Sequence, residues 1–410
     1  MFFSIIFCFL FFFQYICSVF ILFKKFALHN MHILYIYSEI SIKGGTDKVL
    51  VDKANYLANH GYEVTIVTES QMGRPLSFEL DVKVRHIDIG LDFNKQYSQG
   101  LLMRLFTYIT LMIEYRKRLN RTVNELHPDI IITTMGRSLS LLYKINYDGI
   151  KLGEAHTIKR HLRSIHLIEQ RGSIFKILAK YMRWRMCRNA SKLDALVLLT
   201  PKDADDWNGI TKTYVIPNPV PFFPASGAAL DNKQVIMVGR YNDAKGYDYL
   251  IPAWANVYHH HPDWKLQVYG SGELYNDVVN LIKDYHLEST IILNEPTDDI
   301  MNKYLESSIC VLSSRYEGFS LVILESMACG VPVVSYDCPH GPRYIIKDGE
   351  DGLLIDYLNV KALSDGICRI IEDERERKRL GHNARENVKR FSKDSVMKQW
   401  ELLFENMVKV

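Results

Sequence analysis

The sequence predicts an α/β protein made of two doubly wound domains, each with a parallel sheet, that face each other across a central cleft. From residue 32 onward, short apolar strands alternate with helical patterns at the spacing that βαβ units require. The proline-rich segment 217–232 breaks this alternation, which then restarts. A chain of 410 residues is long enough for two or three domains. We therefore expect ligands to bind between the domains, at the carboxyl ends of the strands.

Composition and charge exclude several other classes of protein. Hydrophobic residues make up 48% of the chain and charged residues 24%, which excludes wholesale disorder, collagen-like repeats and a multispan membrane architecture. The net charge of +3 produces no general basic field, so we expect no nucleic-acid partner. The seven cysteines include no C-x-x-C pair, which is typical of reduced thiols and indicates neither a zinc site nor a disulfide framework.

Residues 1–30 form a hydrophobic segment that precedes the predicted fold. Residues 1–23 carry no charge and are followed by Lys24 and Lys25. As a membrane anchor, the segment is long enough to span a bilayer, with the two lysines on the cytoplasmic side. Alternatively, Met31 is the true start, since the first strand begins there. A signal peptide is the third interpretation, although a basic start and an A-x-A-like cleavage site are missing.

Residues 31–216 are predicted to form the first domain. Helical periodicity predicts one helix over 47–60, stopping at Gly61, and a long helix over 99–126. Apolar runs predict strands at 32–38, 63–68, 82–89, 129–134, 150–156 and 195–200.

The linker 217–232 leads to a second domain over residues 233–394. Predicted helices include 247–258 and 321–329. Strands are predicted at 234–240, 264–270, 290–293, 309–314, 332–336 and 353–355. The final segment, 395–410, has the apolar spacing of a helix that packs back across the domain boundary.

The first candidate motif is the glycine pair Gly44 and Gly45, between the first strand and the first helix. Glycine lets the backbone approach a ligand closely, and the N–H groups at a helix start attract a phosphate. The motif is neither G-x-G-x-x-G nor a P-loop, so neither kind of nucleotide site is predicted. A plain turn is the alternative interpretation.

The second motif combines Gly239 and Arg240, which end a predicted strand, with Lys245 five residues later. A forked guanidinium and a compact ammonium at the carboxyl end of a strand suit a diphosphate. Taken singly, either cation is also compatible with solvated surface charge.

The third motif runs from Glu317 to Glu325 and follows the strand at 309–314. We expect Glu317 in a loop, contacting one part of a ligand, and Glu325 on the next helix, accepting hydrogen bonds from ribose or sugar hydroxyls. The N–H groups between them are expected to face phosphate. The donor-binding stretch between the two carboxylates comprises Gly318, Phe319, Ser320 and Leu321.

In their order and spacing, these motifs resemble a retaining glycosyltransferase of the GT-B fold, family 4 type. The resemblance covers residues 31–410 and includes the segments 216–220 and 326–334. It implies two Rossmann-like domains and transfer of a hexose or N-acetylhexosamine from a UDP-sugar to an acceptor hydroxyl, with retention of configuration. The segment 337–343 resembles family members that build bacterial surface polysaccharides, such as capsule or lipopolysaccharide.

The resemblance also implies a role for each site residue. Arg240 and Lys245 hold the donor diphosphate and stabilise the leaving group, Glu317 contacts the donor sugar, and Glu325 grips the ribose. The leaving phosphate itself deprotonates the acceptor. His156, after a predicted strand, occupies the place where such enzymes often have a histidine near the sugar; a structural histidine is the alternative. No metal and no cofactor are expected, because the family generally works without a bound metal.

A basic and aromatic segment suggests where the protein works. Residues 151–192 contain eleven Lys and Arg but only two acids, interleaved with apolar and aromatic residues. This pattern suits peripheral attachment to an anionic membrane surface. A solvated helix face and a nucleic-acid groove are the alternatives.

Together these observations predict an enzyme at the cytoplasmic face of the cell membrane that extends a lipid-linked or growing oligosaccharide in surface polysaccharide biosynthesis. A sugar-nucleotide epimerase of the same fold and a non-catalytic sugar-nucleotide-binding protein are the alternatives.

Overall fold

The structure, a computed structural model, describes residues 31–41, 43–170 and 172–408. The hydrophobic segment 1–30 and the last two residues of the predicted helix 395–410 lie outside the described residues. The described chain forms two α/β domains, each built around one parallel sheet. This confirms the fold class predicted from the sequence.

The first domain contains a seven-stranded sheet with the order β3-β2-β1-β4-β5-β6-β7. Neighbouring strands pair in parallel throughout. The strands are β1 (His32–Tyr37), β2 (Glu63–Thr68), β3 (Val84–Asp88), β4 (Ile130–Thr133), β5 (Ile150–Glu154), β6 (Ala195–Leu198) and β7 (Thr213–Val215). The α-helices are α1 (Gly45–Asn59), α2 (Leu101–Leu126), α3 (Leu139–Leu142), α4 (Ile165–Glu169), α5 (Ser173–Ala190) and α6 (Pro201–Asp206).

The second domain contains a six-stranded sheet with the order β10-β9-β8-β11-β12-β13. Its strands are β8 (Gln234–Val238), β9 (Lys265–Tyr269), β10 (Ile291–Asn294), β11 (Ile309–Leu312), β12 (Val333–Tyr336) and β13 (Gly352–Ile355). Its α-helices are α7 (Tyr247–His260), α8 (Tyr275–Asp284), α9 (Ile300–Leu305), α10 (Leu321–Ala328), α11 (Gly341–Ile345), α12 (Val360–Glu372) and α13 (Glu374–Asn387). The C-terminal helix, α14 (Lys393–Met407), follows them in the chain.

Strand β1 shows why these strands are continuous apolar runs in the amino-acid sequence. Ile33 and Tyr35 pack on one face of the sheet, in the cluster that includes the core of α1, whereas Leu34 and Ile36 pack on the other face with α2. A parallel sheet covered by helices on both faces has no solvent side, so apolar residues occupy both sets of alternating positions.

Each sheet has one point at which the order of its strands reverses. In the first sheet this point lies between β1 and β4, and in the second it lies between β8 and β11. Loops from such a pair of strands leave in opposite directions and open a crevice at the carboxyl edge, where ligands bind in doubly wound folds.

The C-terminal helix α14 packs on the first domain. Trp400 and Phe404 join the apolar cluster of β1 and α1, and the Phe404 ring lies 6.2 Å from the Tyr62 ring. The Lys53 ammonium lies 4.3 Å from the centre of the Trp400 ring. The chain therefore crosses between the domains twice, at the linker and before α14.

Two details differ from the sequence prediction. Helix α1 begins at Gly45, two residues before the predicted start, because Gly44 takes the extended cap position. Strand β7 was not predicted; its three residues at the sheet edge are too few to show alternation. No helix among the described residues combines the length and the apolarity needed to cross a bilayer.

Candidate functional site

The second sheet places the candidate site at the carboxyl ends of β8 and β11, where its strand order reverses. Gly239 and Arg240 directly follow β8, and Glu317 lies in the loop after β11. A Cβ on Gly239 would lie 3.2 Å from three carbons of Lys245, so glycine lets that side chain cross the end of the strand. Residues far apart in the sequence therefore meet at one edge of the sheet.

Lys245 and Glu317 form an ion pair at this edge. Lys245 Nζ lies 2.6 Å from Glu317 Oε1, and both side chains are largely buried. The Ser314 hydroxyl donates to the same carboxylate oxygen at 2.8 Å, and the Ser313 hydroxyl donates to the Lys245 carbonyl at 2.8 Å. Because an ammonium has three N–H donors, Lys245 retains donors beyond the one that Glu317 accepts.

Arg240 is exposed, and its side chain makes no hydrogen bond with the residues that the structure describes. It acts electrostatically on Asp47 in α1 of the other domain. Burial raises the pKa of Asp47 to about 6, while a hydrogen bond from Tyr37 at 2.5 Å and the charge of Arg240 oppose that rise. A guanidinium and a carboxyl group from opposite domains thus face the same cleft.

The glycine pair lies where the two domains touch. A Cβ on Gly45 would lie 2.9 Å from Cδ1 of Leu321 in the second domain. Gly44 precedes α1 in an extended conformation, and its N–H donates to Asp47. The close contact between domains therefore explains Gly45, and one of the N–H groups at the start of α1 is already paired.

The loop before α10 contains the other predicted donor-binding residues. A Cβ on Gly318 would lie 2.9 Å from the carbonyl oxygen of His156, so this glycine also permits a close approach of the first domain. The Phe319 side chain packs in the core, with its ring 5.5 Å from that of Phe391, which leaves only its main chain for a ligand. The buried Ser320 hydroxyl has no hydrogen-bond partner among the described residues.

Glu325 lies on α10, where the charge of Lys245 acts on it without a direct ion pair. Its Oε2 accepts a hydrogen bond from the Tyr304 hydroxyl at 3.0 Å. Burial raises the pKa of Glu325 to about 7, although the Tyr304 hydrogen bond and the charges of Lys245 and Lys48 lower it. The other carboxylate oxygen accepts no hydrogen bond from a described residue, so it is available to a hydroxyl.

His156 follows β5 and lies beside the Gly318 loop. Its Nε2 is 3.3 Å from Oε1 of Glu154, which forms a buried ion pair with Lys53. Burial lowers the pKa of His156, so the ring is neutral near pH 7. Neither ring nitrogen makes a hydrogen bond within the described part of the chain.

Sequence reasoning missed several contacts that join the domains. The ring of Tyr316, next to Glu317, stacks on His161 of the first domain at 3.6 Å. Lys43 pairs with Asp298 at 2.6 Å. Each contact joins residues from different domains. A contact of this kind leaves no local pattern in the sequence from which it could have been predicted.

His340 provides a third link between the domains. Its Nε2 lies 3.0 Å from Asp206 Oδ2 and 3.6 Å from Asp203 Oδ1, both on α6. These are also the three residues whose ligand atoms lie within 4.8 Å of one another, the arrangement that a metal ion would need. All three residues take part in the contact between the domains, and that contact explains the arrangement without a metal ion.

Helices α2 and α5 give the first domain an exposed apolar face. Leu102 is 84% exposed, Ile174 81% and Ile177 72%. Further exposed large side chains on the two helices are Met103, Leu105, Phe106, Ile109, Ile113, Phe175, Leu178, Tyr181 and Trp184. Basic residues stand between them, including Arg104, Lys176 and Lys180. We call this surface, formed by α2 and α5, the apolar face.

Comparison with known proteins agrees with this architecture. Residues 221–387 match the family described as Glycosyl transferases group 1. An uncharacterized glycosyltransferase of Haemophilus influenzae is 29% identical over 368 residues, which cover 88% of this chain and 96% of the relative. The amylovoran biosynthesis glycosyltransferase AmsD of Erwinia amylovora is 27% identical over 380 residues, which cover 90% and 98%.

A solved structure has the same fold. S. aureus TarM, crystallised as a variant in complex with fondaparinux, alpha-GlcNAc-glycerol and UDP, has a TM-score of 0.73 with this chain. The two chains are 17% identical, and the similarity covers 91% of this chain and 99% of TarM. The GT-B fold expected from the sequence is thereby confirmed.

Proposed function

We propose that this chain, whose residues 221–387 match Glycosyl transferases group 1 and whose fold is GT-B, transfers a hexose or N-acetylhexosamine from a UDP-sugar to a glycan acceptor, with retention of configuration. The acceptor is a lipid-linked or growing oligosaccharide of a bacterial surface polysaccharide. The observation that carries the proposal is the convergence of Arg240, Lys245, Glu317 and Glu325 at the point where the second sheet reverses its strand order.

The donor diphosphate binds Arg240 and Lys245. Arg240 has no side-chain partner within the described part of the chain, and Lys245 keeps free N–H donors beside its pair with Glu317. The buried hydroxyl of Ser320 and the N–H groups at the start of α10 provide further donors for a phosphate oxygen. Fixed positive charge at this position stabilises the charge that develops on the leaving UDP.

Glu325 and the two groups near the sugar have distinct roles. The free oxygen of Glu325 accepts a hydrogen bond from a ribose hydroxyl, while Tyr304 holds the other oxygen. Glu317, held by Lys245, contacts the donor sugar. His156 is neutral and hydrogen-bonds a hydroxyl near the reacting carbon.

In the transfer, the bond between the sugar carbon and the UDP oxygen breaks while the acceptor oxygen bonds to the same face of the sugar. The acceptor proton passes to the leaving phosphate oxygen, so no separate protein base is required. Arg240 and Lys245 supply the positive charge that a metal ion supplies in other transferases, and we propose a metal-independent reaction without a cofactor.

The apolar face attaches the enzyme to the inner surface of the cell membrane. Exposed apolar and aromatic side chains next to basic residues bind the interface of an anionic bilayer. This places the cleft beside a lipid-linked acceptor.

The test is release of UDP by the full chain from a panel of UDP-hexoses and UDP-N-acetylhexosamines, with and without a membrane lipid extract. We expect release from one donor that depends on the extract. Lys245→Ala should abolish it, whereas Lys233→Ala, a control at an exposed ion pair with Asp263, should not. UDP binding without release from any donor would instead favour a non-catalytic sugar-nucleotide-binding protein, and conversion of the donor without an acceptor would favour an epimerase.

A further inference from the structure

A second pocket, of about 400 Å³, lies in the first domain. Ser38 follows β1, Glu69 follows β2, and Arg137 lies in the loop after β4; all three line the pocket. The pocket therefore opens at the carboxyl edge where the first sheet reverses its strand order. It is the counterpart, in the other domain, of the edge that carries Arg240 and Lys245.

Three arginines from separate segments line this pocket: Arg104 on α2, Arg137, and Arg163 just before α4. Glu69 is the only acid in its lining. Its Oε2 is 3.1 Å from Arg137 Nη1, and its Oε1 accepts a hydrogen bond from Tyr115 at 2.9 Å. Glu69 is thus satisfied by two partners, and the lining keeps a surplus of two positive charges.

Arg163, like Arg104, forms no ion pair with a residue that the structure describes. Its side chain forms no ion pair or hydrogen bond with the residues that the structure describes, and its backbone has a positive φ of 57°. Burial lowers the pKa of Arg163, as do the charges of Arg185 and Arg137, while Tyr108 and Glu69 raise it. A cation held near other cations, in a left-handed conformation that costs free energy, is typical of a binding site.

The other two guanidinium groups are oriented by aromatic rings. The Arg137 guanidinium carbon lies 4.4 Å from the centre of the Phe93 ring, and that of Arg104 lies 4.6 Å from the Tyr97 ring. The contact with a ring uses none of the N–H donors, so those of Arg104, and those of Arg137 that do not bond Glu69, stay available for an anion. Two surplus charges match a ligand with two negative charges better than a single carboxylate.

Arg104 also belongs to the apolar face, where Leu102 and Phe106 are its exposed neighbours on α2. A ligand in the pocket therefore lies next to the surface that we assign to the membrane. We propose that this pocket binds a diphosphate or phosphate monoester carried by the acceptor. The inference rests on the proposed function and names the substrate class of the first domain.

The first test is binding of inorganic pyrophosphate to the full chain by calorimetry, in saturating UDP so that the donor position is filled. We expect binding by the wild type and at least a roughly ten-fold weaker affinity for Arg163→Gln, since one charged hydrogen bond contributes about 1.5–3 kcal/mol. Arg379→Gln, a control in the second domain, should bind like the wild type. Arg163 has no partner to leave unpaired, so its loss should not lower the unfolding temperature.

The source of the phosphate is distinguished by competition against pyrophosphate. Vesicles that contain a polyprenyl diphosphate, compared with vesicles that lack it, test a lipid-linked acceptor; a soluble N-acetylhexosamine 1-phosphate tests a phosphorylated glycan. Displacement by either one supports the proposal. Equal pyrophosphate affinity in wild type and Arg163→Gln, or competition by glucuronate alone, would overturn it. Because this readout needs no turnover, it stands even if the UDP-release assay fails.

Discussion

His340 Nε2 lies 3.0 Å from Asp206 Oδ2 and so joins the loop after β12 to the first domain. His340 also forms an isolated bridge with Glu317, whose carboxylate is paired with Lys245. Its backbone has a positive φ of 79°, which is uncommon for a residue with a Cβ. The loop that carries Glu317 is therefore linked to the first domain through His340.

Removing this link should weaken catalysis without removing any group that contacts the donor. We expect His340→Ala and Asp206→Ala each to lower kcat/KM by roughly three- to ten-fold, because one side-chain hydrogen bond contributes about 1 kcal/mol. The double variant should lose no more than either single one. Additive losses in this double-mutant cycle would show that the two residues act independently.

Loss of the central ion pair should abolish activity. For Lys245→Ala we expect kcat to fall by about 100-fold or more, since the removed charge acts on the leaving group. Glu317→Ala should cause a comparable loss while the chain stays folded. The measurement is UDP release alongside the unfolding temperature; near-normal turnover in either variant would contradict the assigned roles.

Donor binding should depend on pH through Glu325. Burial raises the pKa of this carboxyl group from 4.5 to about 7, so most of it is protonated at pH 6 and ionised at pH 8. If the ionised form accepts the ribose hydrogen bond, the KM for the UDP-sugar should fall about ten-fold between these pH values. Both phosphates of a UDP-sugar are esterified and stay ionised, so the donor itself adds no such change.

Glu325→Gln is the matched variant for this pH dependence. It should raise KM at pH 8 and give a flat profile between pH 6 and 8. The contribution of Glu325 to stability has the opposite pH dependence to its contribution to donor binding. Because the folded state holds the Glu325 proton more tightly than the unfolded chain does, this contribution to stability is largest below pH 4.5 and declines as pH rises through 7. An unchanged profile in Glu325→Gln would assign the pH dependence to another group, such as Asp47, whose pKa is about 6.

The buried pair of Lys53 and Glu154 should dominate the stability of the first domain. Lys53→Met leaves Glu154 as an unpaired buried charge, for which we expect a loss of about 3–5 kcal/mol. Lys53→Met combined with Glu154→Gln should recover much of it. The exposed pair of Lys43 and Asp298 is the control, and Lys43→Met should cost at most about 1 kcal/mol. Calorimetric unfolding of the full chain measures all three.

Membrane attachment should depend on the apolar face. Ile177→Glu places a charge where 72% of the side chain is exposed and should reduce sedimentation with anionic vesicles without lowering the unfolding temperature. Leu402→Glu, at an exposed position on α14, is the matched control. Equal sedimentation of both variants would show that another surface of the protein binds the membrane.

The sequence predicted the elements that position the site because each of them is a local pattern. Continuous apolar runs such as β1 and β8 are typical of strands covered on both faces. Gly239, Arg240 and Lys245 lie so close together in the chain that the motif can be recognised from the sequence. From these patterns followed the fold, the edge at which ligands bind and the residues suited to a diphosphate.

Other features could be decided only by the tertiary structure. Phe319 belongs to the predicted donor-binding stretch, yet its ring packs on Phe391. Burial of this loop residue depends on which other segment packs against it, and no local pattern gives that. Gly45 meets Leu321, and Gly318 meets the His156 carbonyl, across a cleft that no local pattern describes.

By itself, therefore, the sequence determined which segments form strands and helices and which residue types stand at the strand ends. Only the folded chain decided that Arg104, Arg137 and Arg163 share one pocket, and that Lys245 pairs with Glu317. The physical reason is that the apolar periodicity of a segment indicates only which of its own residues are buried. Charge pairs and shared cavities depend on the distances between segments, and the packing of the two sheets sets those distances.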